Sequence, residues 1–242
     1  MAIKYNNLTL MGTSHIARQS INEVKAAIAK KPHIVAVELD KPRLQGLKSR
    51  KTTKIRVMDI FRIGVTGFVF AVIGAWAQKK LGSIVGVDPG AEMLAAVKLA
   101  NRSKIRLELI DQDIRITLNR LSRFITLKEK LRFFYDVLKA IFFRKREMKR
   151  LGINDFDLSK VPQEELIQKL MSEMKKSYPN AYKVLVEERN MFMARRIFAI
   201  MQQNPGKEIL AVVGAGHEKE LIAMIAEKED MEKVTYEFTV GG

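Results

Sequence analysis

The sequence predicts an α/β fold: a mostly parallel sheet flanked by helices, with a helical insertion between the fourth strand and the C-terminal strands. Two near-continuous apolar runs, at residues 34–39 and 209–213, are typical of strands buried on both faces. Strand signals that alternate with helix signals imply a parallel sheet covered by helices. Between residues 126 and 203 the strand signal disappears. We therefore predict one domain over residues 1–242, with the helical insertion at approximately 115–205.

Four further segments are predicted as strands. Residues 8–12 alternate apolar and polar side chains and end in glycine, and residues 105–110 also alternate. Residues 55–59 give a weaker signal for a third short strand. Residues 234–240 alternate as well, which predicts a terminal strand at an edge of the sheet.

Helix signals separate these strands. Ser20 and Glu23 have the spacing of a capping box, and a second helix is expected at residues 43–50. Asp88 followed by proline is typical of an N-cap and a first helical residue. Apolar residues also recur at helical spacing in three parts of the insertion: residues 127–141, residues 167–174, and a longer helix that begins at Pro179.

The composition narrows the classes of function. The chain has no cysteine, which excludes disulfides, thiolate metal sites and a cysteine nucleophile. No apolar leader is visible, so we expect a cytoplasmic protein. The net charge of +16 favours polyanionic partners such as nucleic acid or anionic lipid. Nucleic acid ranks last, because no recognised motif accompanies the densest basic run, at residues 144–150.

Ionisable side chains stand where the predicted strands end. In a parallel sheet, ligands bind beyond the carboxyl ends of the strands, so these side chains are expected to share one rim. They are the Gly12-Thr-Ser-His15 segment, Glu38 and Asp40, Asp59, Asp111 and Asp113, and the Gly214-Ala-Gly-His217 segment. The two segments share a Gly-x-x-His frame, and we predict that His15 and His217 meet in one cleft.

Two neutral imidazoles with one or two carboxylates suit a divalent metal such as zinc, manganese or cobalt. A metal would also explain how several carboxylates can pack together, because without a cation they would repel one another. For single residues, a purely structural interpretation also stays open. A histidine after a strand is often a polar helix end, and Asp111 and Asp113 suit a turn and an N-cap. His33 is interpreted as a structural or surface residue.

Motifs spread over nearly the whole chain resemble the TraB (pheromone shutdown, PrgY-like) family, and within it the archaeal branch. They occur in the family's order. The matching stretches are Gly12-Thr-Ser-His15, Val37-Glu-Leu-Asp40 with Arg43, Pro89-Gly-Ala-Glu-Met93, Asp111-Gln-Asp-Ile114 with Thr117 and Arg120, Glu188-Arg-Asn190, and Gly214-Ala-Gly-His217.

The resemblance implies a site chemistry. The family is similar to the Tiki metalloproteases, which use two Gly-x-x-His motifs and a divalent metal, and more distantly to erythromycin esterases and haem-binding ChaN-like proteins. By this resemblance His15 and His217 are metal ligands or catalytic bases. Glu38 is a ligand or general base, and Arg189 is a further catalytic residue. The residues expected to bind substrate are Arg43, Glu92, Asp113 and Asn190.

The leading functional hypothesis is a metal-dependent hydrolase that acts on a peptide or small amide substrate. Arg189 or Arg43 would bind a substrate carboxylate or stabilise the oxyanion. The alternative is a non-catalytic module that sequesters a peptide or haem in the same cleft. Turnover of a peptide library in the presence of metal would distinguish the two.

One uncharged apolar segment suggests a partner. Residues 64–77 are apolar all round and need cover on every side. A buried core helix is the commonest explanation for such a segment. A second subunit could also provide the cover, and we predict a homodimer to which this segment and the helix at residues 127–142 contribute. The basic run at residues 144–150 suits the anionic inner face of a membrane. Archaeal members of the family commonly continue into a C-terminal membrane domain. We therefore expect a chain that ends at Gly242 to be shortened or naturally short.

Overall fold

The computed structural model describes residues 2–13, 18–49, 64, 68, 90–142 and 163–240, and confirms the α/β class. Its sheet has five strands in the order β1-β2-β5-β3-β4. Only the β1–β2 pair is antiparallel. The strands are β1 (Ala2–Tyr5), β2 (Leu8–Thr13), β3 (Ile34–Val37), β4 (Arg106–Leu109) and β5 (Ile209–Gly214).

Helices cover both faces of this sheet and fill the described part of the chain between β4 and β5. They are α1 (Arg18–Ala29), α2 (Lys41–Ser49), α3 (Ala91–Arg102), α4 (Ile114–Phe124), α5 (Leu127–Phe142), α6 (Gln163–Ser177), α7 (Pro179–Tyr182), α8 (Glu188–Gln203) and α9 (Glu218–Val240). A π-helical segment (Lys183–Glu187) joins α7 to α8, so the chain from Pro179 to Gln203 is helical throughout.

The sheet divides the apolar core in two. On one face α8 and α9 pack on the strands through side chains such as Ile197 and Leu221. On the other face α1 and α3 do the same through side chains such as Val24 and Val97. The central strand β5 is buried along its whole length. This burial on both faces is the reason for its unbroken apolar sequence.

The strand register brings four chain segments to one edge of the sheet. Thr13 of β2 pairs with Gly214 of β5, so the two Gly-x-x-His segments leave neighbouring parallel strands. Val37 at the end of β3 pairs with Val212 on one side and with Leu109 on the other. The carboxyl ends of β2, β3, β4 and β5 therefore lie at the same rim.

The predicted strands at residues 8–12, 34–39, 105–110 and 209–213 are confirmed, with small differences at their ends. Residues 55–59 lie outside the described part of the chain. β1 was not predicted; it pairs with β2 through a tight turn in which Asn6 adopts a φ of 49°, a conformation that asparagine tolerates well.

The predicted terminal strand at residues 234–240 is wrong, because α9 continues to Val240. No glycine or proline interrupts the sequence from Glu218 to Val240, so nothing stops a helix once it has begun. A short alternation of apolar side chains does not by itself outweigh that continuity.

Two predicted helix starts also differ. α1 begins at Arg18, which places Ser20 inside the helix, so the capping box at Ser20 and Glu23 is not formed. α3 begins at Ala91, after Gly90, whose φ of 79° makes it the N-cap in place of Asp88. Glycine takes this left-handed conformation without the steric cost that a β-carbon would add.

The predicted apolar segment at residues 64–77 lies outside the described residues, apart from Gly64 and Phe68, and the homodimer stays a prediction. In the part of the chain that the structure describes, no helix is long and apolar enough to cross a bilayer.

Glu129 fixes α5 against α7. Its carboxylate accepts hydrogen bonds from the backbone N–H of Thr126 at 3.0 Å and of Asn180 at 2.8 Å, and also from both side chains. The contact with Thr126 is a capping box, which satisfies N–H groups at the start of the helix. Burial raises the pKa of Glu129, but these donors outweigh burial and the pKa is lowered overall.

We expect Glu129→Gln to lower the free energy of unfolding by about 1–3 kcal/mol at neutral pH, because charge-assisted hydrogen bonds are lost. The lowered pKa means that the wild-type contribution is complete above the unfolded-state value of 4.5 and is lost as pH falls through the folded-state pKa. Denaturant titrations of both proteins should therefore converge as the pH falls below 4.5 and through the folded-state pKa. Glu23→Gln, on the surface of α1, is the control. A wild-type advantage that grows on acidification would contradict the assignment.

Candidate active site

Glu38 occupies the rim immediately after β3 and is buried. One carboxylate oxygen, Oε2, accepts a hydrogen bond from the backbone N–H of Gly214 at 2.6 Å, which ties the end of β3 to the end of β5. The other oxygen, Oε1, accepts a hydrogen bond from Arg189. The glutamate predicted from the end of a strand is therefore held in one orientation by two different elements.

Arg189, at the start of α8, joins two buried carboxylates. Its Nε donates to Asp111 Oδ1 at 3.0 Å and its Nη2 donates to Asp111 Oδ2 at 2.7 Å, while Nη2 also donates to Glu38. Nη1 donates to the Leu185 carbonyl in the π-helical segment at 3.2 Å. Burial would lower the pKa of Arg189, but the two carboxylates outweigh burial and raise it. The guanidinium thus stays charged in an enclosed position.

Arg43 completes this ion-pair cluster from α2. Its Nη1 donates to Asp111 Oδ2 at 2.5 Å, and its side chain is 35% exposed, against 16% for Arg189. Asp40 positions the start of α2 by accepting from the N–H of Arg43 and the N–H of Ile114, each at 2.6 Å. Burial raises the pKa of Asp40.

The ion-pair cluster shows how the carboxylates at the rim are neutralised. We expected a metal to relieve repulsion among carboxylates at the rim. The structure instead places two guanidinium groups, those of Arg43 and Arg189, against Glu38 and Asp111. Carboxylate repulsion alone is therefore no argument for a metal.

A second network holds His217, which follows β5. Its Nδ1 lies 2.5 Å from Asn190 Oδ1, and Asn190 Nδ2 donates to Glu220 Oε2 at 2.6 Å. The Tyr182 hydroxyl donates to Glu220 Oε1 at 3.0 Å. Burial, together with the hydrogen bond and the charge of Glu220, raises the pKa of Tyr182 to about 12, so this hydroxyl stays a donor.

These contacts determine which ring nitrogen of His217 carries a proton. The carboxylate of Glu220 accepts only, so the amide nitrogen of Asn190 must face it and the amide oxygen must face His217. Nδ1 must then donate, and the neutral ring presents an unprotonated Nε2. That nitrogen lies 3.5 Å from Glu38 Oε1.

The first Gly-x-x-His segment approaches the second where α9 begins. A β-carbon on Gly12 would lie 2.4 Å from Glu218 Oε2 and 3.2 Å from Ala215 Cα. A larger residue would require the Glu218 side chain to move and would press on the backbone at Ala215, so glycine favours this close approach. The glycine in this motif therefore allows close packing at the rim.

The structure brings together five of the residues predicted for the site, on β3, α2, α8 and the segment after β5. They are Glu38, His217, Arg189, Arg43 and Asn190. His15 lies outside the described residues, so its meeting with His217 stays a prediction. Asp113 caps α4 by accepting from the N–H of Arg115 at 2.9 Å, and Arg115 lowers its pKa. Glu92 is buried in the first turn of α3, and its role in substrate binding stays a prediction.

Neither Glu220 nor Tyr182 was predicted from the sequence as a site residue. Glu220 stands three residues after His217 in a helical turn, a spacing that places both on one face and would have been a usable signal. Tyr182 gave no such signal. Arg120 and Glu188, which matched the family motifs, form a two-pronged ion pair at 2.5 and 2.6 Å beside the start of α8.

Within the described residues, no group of three or more histidine, aspartate or glutamate side chains is arranged as a metal site. Glu38 and His217 provide two adjacent donors, and a carboxylate has lone pairs beyond those that Arg189 and Gly214 occupy. With His15 as a third donor the set would fit a metal that prefers imidazole and carboxylate.

Fold and site together define an α/β protein with an ion-paired, histidine-containing cluster at the carboxyl ends of its parallel strands. The model of the TraB/PrgY/gumN family matches residues 2–229, which include every element of this cluster. The chain belongs to this family.

Curated relatives occur in archaea and mammals. The chain is 33% identical over 230 residues to an uncharacterized protein of Methanocaldococcus jannaschii, covering 93% of this chain and 54% of the relative. It is 24% identical over 233 residues to a TraB domain-containing protein of Bos taurus, covering 86% of this chain and 59% of that protein. It is 23% identical over 233 residues to a TraB domain-containing protein of Homo sapiens, covering 86% of this chain and 60% of that protein. The chain thus spans little more than half the length of these relatives.

Replacing Arg189 tests how far the fold depends on the ion-pair cluster. We expect Arg189→Met to lower the free energy of unfolding by about 3–5 kcal/mol, because Glu38 loses its arginine and Asp111 keeps only Arg43. Arg189→Lys should keep part of the lost stability, since a lysine retains the charge but cannot form the same fork. Arg115→Met is the control: its partner is Asp113, its side chain is 62% exposed, and the change should be much smaller. Denaturant unfolding that shows equal losses for Arg189→Met and Arg115→Met would contradict this role.

Proposed function

We propose that this protein is a metal-dependent hydrolase of a peptide or small amide substrate. The proposal is carried by one observation: His217 Nε2 and Glu38 Oε1 lie 3.5 Å apart in a buried position. Both atoms are electron-rich when the ring is neutral, so a proton or a cation near them is attracted by both. A pair of this kind is suited to taking a proton from water or to holding a metal.

The proposed metal is a divalent ion, manganese, cobalt or zinc, with His217, Glu38 and His15 as its ligands. When bound, it would lower the pKa of a coordinated water and polarise the substrate carbonyl. The chain's own contribution is to orient the donors. Asn190 fixes the ring of His217, and the Gly214 N–H fixes the carboxylate of Glu38. Such outer contacts commonly change metal affinity or activity by about 10- to 100-fold.

Glu220 strengthens His217 as a base. Its negative charge, relayed through the amide of Asn190, favours a positive charge on the imidazole ring. The hydrogen bond from Tyr182 holds the glutamate in place. The arrangement of carboxylate, amide and imidazole therefore both orients the ring and assists proton uptake at Nε2.

Arg189 and Arg43 have different roles in the proposed site. The described contacts of Arg189 occupy four of its five N–H groups, so its main effect is to hold Glu38 and Asp111. Arg43 is more exposed, and only Nη1 is engaged with Asp111. We assign Arg43 to the anionic group of the substrate, such as a peptide carboxylate.

Metal content and turnover test the proposal together. We expect purified protein incubated with manganese, cobalt or zinc to retain metal and to cleave members of a peptide library. His217→Ala and His15→Ala should each lose metal and activity while remaining folded, and His33→Ala, at an exposed histidine, should behave as the wild type. Saturable peptide or haem binding without products would favour the sequestering module. Metal affinity unchanged in both site variants would remove the metal.

The relay predicts a tautomer that can be measured without any substrate. Nitrogen chemical shifts of the His217 ring should show a neutral form protonated at Nδ1. In Glu220→Gln we expect a mixture of tautomers and, given activity, a kcat reduced by about 10-fold or more. Glu227→Gln, at an exposed position on the same helix, should change neither. A ring protonated at Nε2 in the wild type would contradict the relay, whether or not the enzyme is active.

A further inference from the structure

Helix α5 packs on the protein through its polar side. Glu129 accepts hydrogen bonds from Asn180, and the Tyr178 hydroxyl donates to Asp136 Oδ2 at 2.5 Å. Phe133 packs edge-on against Tyr178, with ring centroids 6.2 Å apart. Positions 129, 133 and 136 follow helical spacing and form one stripe, which is the face that holds α5 in place.

The opposite stripe of α5 is apolar and points away from the described protein. We call Leu127, Leu131, Phe134 and Tyr135 the outer face of α5; they occupy positions i, i+4, i+7 and i+8 of the helix. Leu127 is 71% exposed, and each of the other three is 63% exposed. Large apolar side chains that are exposed side by side mark interaction surfaces, whereas single exposed ones are ordinary.

The acidic residues of α5 lie on its packed side. Glu129 and Asp136 both accept hydrogen bonds there. Arg132 lies beside them, with its Nε 3.9 Å from Asp136 Oδ2 and its guanidinium over the Tyr178 ring. On the helical wheel the exposed Lys128 flanks the outer face on one side, and the partly exposed Lys130 flanks it on the other. The outward surface therefore combines apolar side chains with two lysines and carries no acid of α5.

We propose that the outer face of α5 docks on an anionic lipid bilayer. An interfacial helix of this kind lies in the membrane plane with its apolar stripe in the headgroup region, while basic side chains at its flanks meet lipid phosphates. The net charge of +16 attracts the whole chain to such a surface. This docking is independent of the proposed hydrolase.

Charge decides between a bilayer and a second copy of the chain. A two-fold contact would place the same patch on both sides of the interface. Lys128 and Lys130 of both copies would then lie at the edges of the buried patch, with no acid of α5 on the outer face to pair with them. Anionic headgroups provide the complementary charge.

Vesicle co-sedimentation tests the proposal with the intact chain. The probes are vesicles of phosphatidylcholine alone and of phosphatidylcholine with phosphatidylglycerol. We expect binding to the anionic vesicles only, weakened by salt. Leu131→Glu with Phe134→Glu should abolish it, whereas Leu170→Glu, at an exposed leucine of α6, should not. Lys128→Glu with Lys130→Glu should weaken it at least about 10-fold, because each cation near the surface contributes roughly a 5-fold factor.

The charge-matched control is Lys25→Glu with Lys30→Glu, at exposed positions on and just after α1. It changes the net charge equally, so equal weakening in both double variants would reduce the effect to overall charge and overturn the proposal. Circular dichroism checks that each variant is folded. Absence of binding to anionic vesicles would also overturn it. So would light scattering that shows a dimer which Leu131→Glu with Phe134→Glu converts to a monomer.

Discussion

The guanidinium of Arg189 is the contact on which the rim of the sheet depends. It lies between Glu38, which follows β3, and Asp111, which follows β4, and it belongs to a helix from a distant part of the chain. Two buried carboxylates this close would repel each other, and each would be costly to bury alone. A single arginine removes both penalties and, in doing so, fixes where α8 begins relative to the strand ends.

Much of the sheet could be predicted because strands that are buried on both faces have a nearly unbroken apolar sequence. The apolar runs of β3 and β5 admit few polar residues, since helices cover both sides. The ends of the chain were harder. β1 is an edge strand with an exposed face, and the alternation at residues 234–240 lies in a helix that has no stop signal. In both places the local sequence pattern does not determine the secondary structure, which depends on the neighbouring strand or on the helix that precedes the segment.

The residues of the site also differ in how far the sequence predicts them. Glu38 and His217 follow directly from the rule that ligands meet the carboxyl ends of parallel strands. Arg189 and Asn190 came only from the family resemblance, because the residue pattern alone favoured an exposed helical face, whereas Asn190 is fully buried. Helical spacing alone would have placed Asn190 on the buried face of α8, because it stands three, four and seven residues before the buried Met193, Ala194 and Ile197. Its polar side chain is what favoured an exposed face. Tyr182 acts through a hydrogen bond to the distant Glu220, which local spacing does not reveal.

The balance of charge at the rim links two parts of the proposed function. Glu38 and Asp111 are matched by Arg43 and Arg189, so these four groups carry no net charge. A positive charge gained at His217 is supported by Glu220 through Asn190 and by Glu38 across 3.5 Å. In the proposed function, the exposed edge of Arg43 binds an anionic group of the substrate at the same rim. Proton uptake by His217 and binding of that anion should therefore favour each other, because the two charges added are of opposite sign.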